Sequence, residues 1–232
     1  TLIEKRFVPH RQSLFIFVRH LINKFTGIMK NIKTIIFDLG GVLMDLDKQK
    51  CIDAFEDLGF SDITEYLGEY EQKGMFMDLE DGTISATEFR DEVRKHIGEA
   101  ITDQQIDEAF NRFLVGIPEQ KLTLLRQLHK SYRLFMLSNT NPIMFESRIP
   151  ELFRIQGINI PDYFDKLYLS YQLGVTKPSP KIFEKIIADS GILPQETLFL
   201  DDSQKNIDAA RKFGFQTYLV APREDFSFIF DL

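Results

Sequence analysis

Polar side chains that could do chemistry stand at the ends of short apolar runs. The string "TIIFDLGGVLMDLD" brings Asp38 directly after one such run, and Ser138 and Asp201 end two others. An acid is costly where a buried strand ends, so Asp38 needs a chemical explanation. A carboxylate can attack a phosphoryl group and form an aspartyl phosphate, provided that a divalent cation and a fixed ammonium offset the repulsion between the two anions.

The elements that would position these side chains alternate between strand and helix. One helical pattern opens with Ser179 and Pro180 and stops at Gly191, and another runs from Ser203 to Gly214. Short, continuously apolar strands are typical of parallel sheets that are buried on both faces. The sequence therefore predicts an α/β fold, a Rossmann-like parallel sheet with helices on both faces, in which ligands bind beyond the carboxyl ends of the strands. The predicted strands cover residues 34–38, 134–138, 166–170, 197–201 and 217–221.

Residues 48–115 carry helical patterns and no convincing strand pattern. Four amphipathic stretches predict a small helical bundle that covers the catalytic edge of the sheet as a cap. Two of them open with capping boxes, Ser85 with Glu88 and Thr102 with Gln105. The second stretch contains Ile63, Tyr66, Leu67 and Tyr70. The predicted division is a catalytic core of residues 31–47 and 116–232, a helical cap of residues 48–115, and an N-terminal extension of residues 1–30.

Composition restricts the partners. The 232 residues include 28 Lys and Arg against 35 Asp and Glu, and the net charge of −7 argues against broad nucleic-acid binding. A small phosphorylated substrate is compatible with this charge if positive groups converge in one cleft. No run of about 18 apolar residues is present, so stable membrane insertion is not expected. The single cysteine, Cys51, cannot form an internal disulfide, which predicts a reducing, cytoplasmic location. The oligomeric state is left open.

The first 28 residues are basic and aromatic and precede Met29. They lack the longer apolar region and the small-residue cleavage site of a signal peptide. Residues 13–25 fit a short amphipathic helix that would touch a membrane surface or a partner. A helix packed on the core and an upstream start-site artefact are the alternatives, so the role of this extension is open.

Four separated motifs follow one another along the chain. Each motif alone has an ordinary explanation, since strand-end acids cap helices, serines form turns and lysines are solvated. Together, in this order, they resemble the four motifs of the haloacid dehalogenase (HAD) superfamily. The resemblance extends from about residue 31 to the C-terminus and includes a helical, C1-type cap between the first two motifs. The motifs are "FDLGGVL" with Asp38, "LSNT" with Ser138, "KPSP" with Lys177, and "LDDSQKN" with Asp201 and Asp202.

The resemblance implies a Mg²⁺-dependent phosphatase that acts on small phosphorylated metabolites through an aspartyl phosphate. Its catalytic residues would be the nucleophile Asp38 and the ammonium of Lys177. The phosphate would be held by the Ser138 hydroxyl, Lys177, and the backbone N–H groups of Leu39, Gly40 and Asn139. The Mg²⁺ ligands would be Asp38, the backbone carbonyl of Gly40 and Asp202, with Asp201 as a direct ligand or as a partner of one.

Two further positions stay open. Asn206 would either orient the acids or be a polar residue on a surface helix. The string "GMFMDLEDG", residues 74–82, offers Met75, Phe76 and Met77 either to the core of the bundle or to the pocket.

Gly40 departs from the pattern of most HAD phosphatases. They carry a second aspartate at this place, which protonates the leaving group and then activates water, and loss of such a group costs about 100- to 10,000-fold in rate. The alternatives are therefore a dehalogenase-like carbon–halogen hydrolase or a catalytically weak HAD protein that binds a phospholigand. Asp201 and Asp202 favour phosphoryl chemistry, because the dehalogenases of the superfamily lack this metal-binding pair.

A more particular resemblance is to a bacterial branch of HAD sugar phosphatases that includes α-D-glucose-1-phosphate phosphatase. It rests on "FDLGGVLMDLD", "DGTIS", "LSNTN" and "DDSQKNI". Glycine also occupies the second position in that branch. An anomeric hydroxyl is more acidic than an ordinary alcohol, so its departure depends less on a general acid. This resemblance predicts a sugar phosphate such as glucose 1-phosphate, and leaves open what replaces the second aspartate.

Overall fold

A computed structural model describes residues 29–68 and 72–230. The predicted helix over residues 13–25 and the predicted position of Tyr70 lie outside the described residues. Within the described part of the chain, no helix is both long and apolar enough to cross a bilayer. The strands are β1 (Thr34–Phe37), β2 (Asp45–Leu46), β3 (Leu114–Gly116), β4 (Arg133–Ser138), β5 (Lys166–Leu169), β6 (Thr197–Asp201) and β7 (Gln216–Leu219).

Five strands form one parallel sheet in the order β5-β4-β1-β6-β7. In its centre, Ile35 pairs with Leu134 on one side and with Leu198 on the other. Each of the five predicted strands is present to within one or two residues at its ends. The prediction of an α/β fold with a parallel sheet is confirmed.

Alternation along the strands explains why both faces of the sheet are buried. Ile35 and Phe37 belong to one hydrophobic cluster, whereas Ile36 belongs to a second cluster on the opposite face. Helices cover both faces and supply the remaining apolar side chains. They are α1 (Lys48–Asp57), α2 (Met75–Glu80), α3 (Ala86–Ile97), α4 (Asp103–Asn111), α5 (Glu119–Leu128), α6 (Ile149–Phe153), α7 (Ser170–Leu173), α8 (Pro180–Ser190) and α9 (Gln204–Lys212).

Helices α1 to α4 form a bundle between β2 and β3. Its centre is aromatic, because the ring of Phe76 lies 5.6 Å from that of Phe55, 4.9 Å from that of Phe89 and 5.2 Å from that of Phe110. Both predicted capping boxes are present, at the start of α3 and of α4. The exact division into core and cap at residues 47/48 and 115/116 stays a prediction.

Three details of residues 45–116 differ from the predicted pattern. The second predicted cap helix is only a single 3₁₀ turn, Ile63–Glu65, at the end of which the N–H groups of Tyr66 and Leu67 both donate to the carbonyl of Ile63. Helix α2 was not predicted, since six residues are too few to show the helical repeat of apolar side chains. The two-residue strand β2 pairs antiparallel with β3 where the chain enters and leaves the bundle, and this ladder too is shorter than any pattern would reveal.

Candidate active site

The ends of three neighbouring strands bring the predicted acids and serine together. Asp38 directly follows β1, Ser138 ends β4 and Asp201 ends β6, so all three lie at the carboxyl edge of the sheet. Lys177 reaches this edge from the loop between α7 and α8. Its Nζ lies 2.9 Å from Asp38 Oδ1 and 2.7 Å from Asp201 Oδ2.

Lys177 is a buried and fully paired ammonium. Only 3% of the residue is exposed, and its Nζ also donates to the carbonyl of Leu137 at 3.1 Å. Burial works against the charge, but the carboxylates of Asp201 and Asp38 outweigh it and raise the pKa of Lys177. The site therefore contains the fixed positive charge that attack of one anion on another requires.

The side chain of Asn139 makes two hydrogen bonds to the backbone of Lys177. The Asn139 side-chain amide donates to the carbonyl of Lys177 at 2.9 Å, and its Oδ1 accepts from the N–H of Lys177 at 2.8 Å. The sequence predicted only a backbone role for Asn139, because an amide that reaches a residue 38 positions away leaves no local pattern. The neighbouring Ser138 is 2% exposed, and its hydroxyl donates to the carbonyl of Asn139 at 3.3 Å.

Asp201 is fully buried and is held by the protein on both oxygens. Oδ2 pairs with Lys177, while Oδ1 accepts from the N–H of Ser203 at 2.8 Å and from the Asn206 amide at 2.9 Å. Of the two interpretations of Asn206, the structure supports the one in which this residue orients an acid. Asp201 in turn fixes Lys177 and the start of α9.

The acids of the site suit a hard divalent cation. Asp38, Asp201 and Asp202 each offer a carboxylate oxygen, and these oxygens lie within 4.8 Å of one another. Burial, together with the charges of Asp201 and Asp202, raises the pKa of Asp38 to about 8 against the opposing effect of Lys177. Burial and the charge of Asp201 likewise raise the pKa of Asp202 to about 6. A bound cation is expected to stabilise the ionised form of carboxylates that repel one another in this way.

Two adjacent glycines leave space for different neighbours. Gly41 has φ +72°, and a Cβ on it would overlap with Asp202 Oδ2. A Cβ on Gly40 would lie 2.7 Å from Cδ1 of Leu46, so the side chain of Leu46, from β2, fills the space beside Gly40. At both glycines, the close approach in the structure is to a protein side chain.

A cavity of about 110 Å³ opens between the sheet edge and the cap, and an adjoining one of about 60 Å³ reaches Ser138. Asp38, Lys177 and Asp202 line the larger of the two. The cap lines both cavities with residues that include Gln72 and Glu80, neither of which the sequence indicated. A wider groove of about 950 Å³ lies elsewhere, along α1, α4 and residues 147–151, and none of the predicted site residues lines it.

Comparisons with known proteins agree with this architecture. A protein-family model described as haloacid dehalogenase-like hydrolase matches residues 32–214. D-ribitol-5-phosphate phosphatase from Bacteroides thetaiotaomicron is 43% identical over 187 residues, which cover 81% of this chain and 91% of that protein.

Two solved structures are similar over most of the chain. A HAD family enzyme from Bacteroides thetaiotaomicron, in complex with magnesium and inorganic phosphate, has a TM-score of 0.81 at 42% identity, covering 86% of this chain and 99% of that one. A HAD-like family hydrolase from Porphyromonas gingivalis has a TM-score of 0.79 at 42% identity, covering 84% and 94%.

The chain belongs to the haloacid dehalogenase-like hydrolases. The predicted family and enzyme class are therefore confirmed. The comparisons do not single out the α-D-glucose-1-phosphate phosphatase branch, which stays a prediction.

Proposed function

We propose that this hydrolase removes phosphate from small phosphorylated sugars or polyols through an aspartyl phosphate on Asp38. The observation that carries the proposal is the convergence of Asp38, Lys177 and Asp202 on one cavity at the strand ends. The enzyme acts on phosphoric monoesters and uses Mg²⁺, in agreement with the phosphatase from Bacteroides thetaiotaomicron and the magnesium and phosphate complex of the related structure.

The proposed roles follow from the contacts. Asp38 attacks phosphorus, and Lys177 offsets charge on the nucleophile and on the phosphate. Asp38, the carbonyl of Gly40 and Asp202 would hold Mg²⁺, which supplies positive charge to neutralise the phosphate. Because both oxygens of Asp201 accept hydrogen bonds from the protein, we assign it to positioning Lys177 rather than to direct metal ligation.

The phosphate oxygens would be received by the Ser138 hydroxyl and by the backbone N–H groups of Leu39, Gly40 and Asn139. The N–H of Leu39 donates to Asp38 Oδ1 at 2.6 Å in this structure. It therefore already lies beside the attacking group, where charge develops during transfer.

Two observations point to different substrates. The relative at 43% identity acts on D-ribitol 5-phosphate, whose leaving group is an ordinary primary alcohol. Gly40, which removes the usual acid, favours an activated leaving group such as that of glucose 1-phosphate. The cytoplasmic location stays a prediction.

The test is a phosphate-release assay with Mg²⁺ on D-ribitol 5-phosphate, glucose 1-phosphate and glucose 6-phosphate. We expect activity that disappears with EDTA and in the Asp38→Asn variant. Preference for glucose 6-phosphate over glucose 1-phosphate would contradict the activated-leaving-group argument. Halide release from 2-haloacids without Mg²⁺ would favour the dehalogenase alternative, and absence of turnover in wild type with retained phosphate binding would favour the binding protein.

A further inference from the structure

Glu80 is an acid that the proposed chemistry has not used, and it lies at the reaction cavity. It is the last residue of α2, and it lines both the 110 Å³ cavity with Asp38 and Lys177 and the adjoining cavity with Ser138. Of the described cap residues that line either cavity, Glu80 alone is ionisable. Gly40, where the usual second aspartate is missing, lines the same two cavities.

Packing fixes Glu80 from two sides. Three of its neighbours in α2, Met75, Phe76 and Leu79, are buried in the core of the cap. The turn that follows contains Gly82, with φ +76°, and a Cβ there would overlap with the backbone carbonyl of Tyr171 in α7. The end of α2 is thus seated against the catalytic core, which holds Glu80 at a set position above the sheet edge.

Among the described residues, Glu80 has no structural partner that would explain its place. We find no hydrogen bond or ion pair from its carboxylate to any residue in ranges 29–68 and 72–230. Burial, with a smaller contribution from the charge of Asp81, raises the pKa of Glu80 to about 8 against the opposing effect of Lys177. Asp38 and Asp202 are the other charged groups that line its cavity. A carboxyl group that lines the reaction cavity in this way is placed to exchange a proton with a group bound there.

We infer that Glu80, supplied by the cap, is the general acid and base that Gly40 has lost. The inference rests on the proposed phosphatase function. It also explains how the chain could cleave an ordinary alkyl phosphate such as a polyol phosphate, because the leaving group then receives a proton from the opposite wall of the cavity. An activated leaving group is no longer required.

The two half-reactions balance with water as the co-reactant. First, an Asp38 oxygen bonds to phosphorus, the bond from phosphorus to the leaving oxygen breaks, and the proton of Glu80 passes to that oxygen, so an alcohol leaves. Next, the Glu80 carboxylate takes a proton from water, the water oxygen bonds to phosphorus, and the bond from phosphorus to Asp38 breaks. Inorganic phosphate leaves, and Glu80 is protonated again.

The experiment compares Glu80→Gln with wild type on a poor and a good leaving group, D-ribitol 5-phosphate and p-nitrophenyl phosphate. We expect kcat/KM on the alkyl phosphate to fall about 100- to 10,000-fold. On p-nitrophenyl phosphate the first step needs little acid, so about one equivalent of p-nitrophenol per enzyme appears in a burst, followed by slow turnover. Asp78→Asn, which removes a carboxylate from the same helix but lines neither cavity, should keep wild-type kinetics.

Chemical rescue gives a second readout that a structural role would not produce. In Glu80→Ala, added formate should restore steady-state turnover by about tenfold or more, because a small acid can occupy the vacated space. Thermal unfolding of both variants shows whether they are folded. A rise in KM without a burst, equal losses on both substrates, or no rescue by formate would overturn the role of Glu80 while leaving the phosphatase intact. If wild type releases no phosphate from any substrate, the proposed function fails and the role of Glu80 fails with it.

Discussion

At the scale of single residues, the site depends on missing side chains as much as on those present. Gly41 leaves room for Asp202, and Leu46 occupies the space beside Gly40. An aspartate placed back at position 40 would first have to displace Leu46. The loss of the usual acid is therefore part of the local packing, and the acid that compensates for it lies on another element.

The Gly41→Ala variant tests the packing of Asp202. Its Cβ would displace the Asp202 carboxylate, so we expect the Mg²⁺ concentration for half-maximal activity to rise about 10- to 100-fold. Gly191→Ala is the matched control, because Gly191 also has positive φ, at +65°, but has no atom within 4 Å of an added Cβ. Equal Mg²⁺ requirements in the two variants would show that the contact with Asp202 has no influence on the metal.

Much of the site's geometry could be predicted from the sequence. Asp38, Ser138 and Asp201 lie at the ends of apolar runs, and parallel strands carry such residues to one edge. Glu80 and Leu46 could not be found in this way, since Glu80 reaches the cavity through the docking of the cap on the core, and Leu46 through the short β2–β3 pair. The sequence identifies the polar side chain at the end of each strand, but not the cap side chain that lies opposite it.

At the scale of elements, the length of a strand or helix decides whether the sequence pattern could predict it. The five sheet strands are continuous apolar runs, and α3 and α4 carry several turns of amphipathic pattern behind recognisable caps. Helix α2 and the β2–β3 pair span six residues or fewer, and tertiary contacts define them. These short elements nevertheless place Glu80 and Leu46, so the least predictable parts of the fold carry the distinctive side chains of the cavity.

The contribution of the capping box of α3 to the free energy of unfolding can be measured. Ser85 accepts from the N–H of Glu88, and the Glu88 carboxylate accepts from the N–H of Ser85 at 2.8 Å. We expect Ser85→Ala to lower the free energy of unfolding in urea by about 1 kcal/mol. Ser61→Ala, at an exposed position outside any helix, should change it by less than about 0.5 kcal/mol. A similar loss in both variants would mean that the box contributes nothing specific.

At the scale of the whole molecule, the cap and core share one hydrophobic cluster. Phe37 and Val42 of the core belong to the same buried group as Phe55 and Phe76 of the cap. This continuity holds the cap over an acidic cavity that burial makes electrostatically unfavourable. The chain therefore keeps a destabilising set of charges at the place where hydrophobic packing is extensive enough to tolerate it.

The acidic cavity also predicts how stability depends on pH and Mg²⁺. In the metal-free protein, the pKa values of Asp38 and Asp202 are raised from 3.8 to about 8 and about 6. The folded state then binds more protons than the unfolded state, so this contribution to stability is complete below about pH 4 and is lost as the pH rises through both values. Mg²⁺ competes with those protons for the same oxygens, so its stabilising effect grows over the same range.

We therefore expect the increase in melting temperature caused by one fixed Mg²⁺ concentration, relative to EDTA, to be larger at about pH 8 than at about pH 5. At a concentration of about 100 times Kd the stabilisation amounts to about 2.7 kcal/mol. Differential scanning calorimetry of the full chain measures it, with Asp202→Asn as the control. That variant removes one ligand and one repelling charge, so it should be more stable than wild type in EDTA and gain less from Mg²⁺. An Mg²⁺ effect of equal size at both pH values would mean that the cation does not bind at these carboxylates.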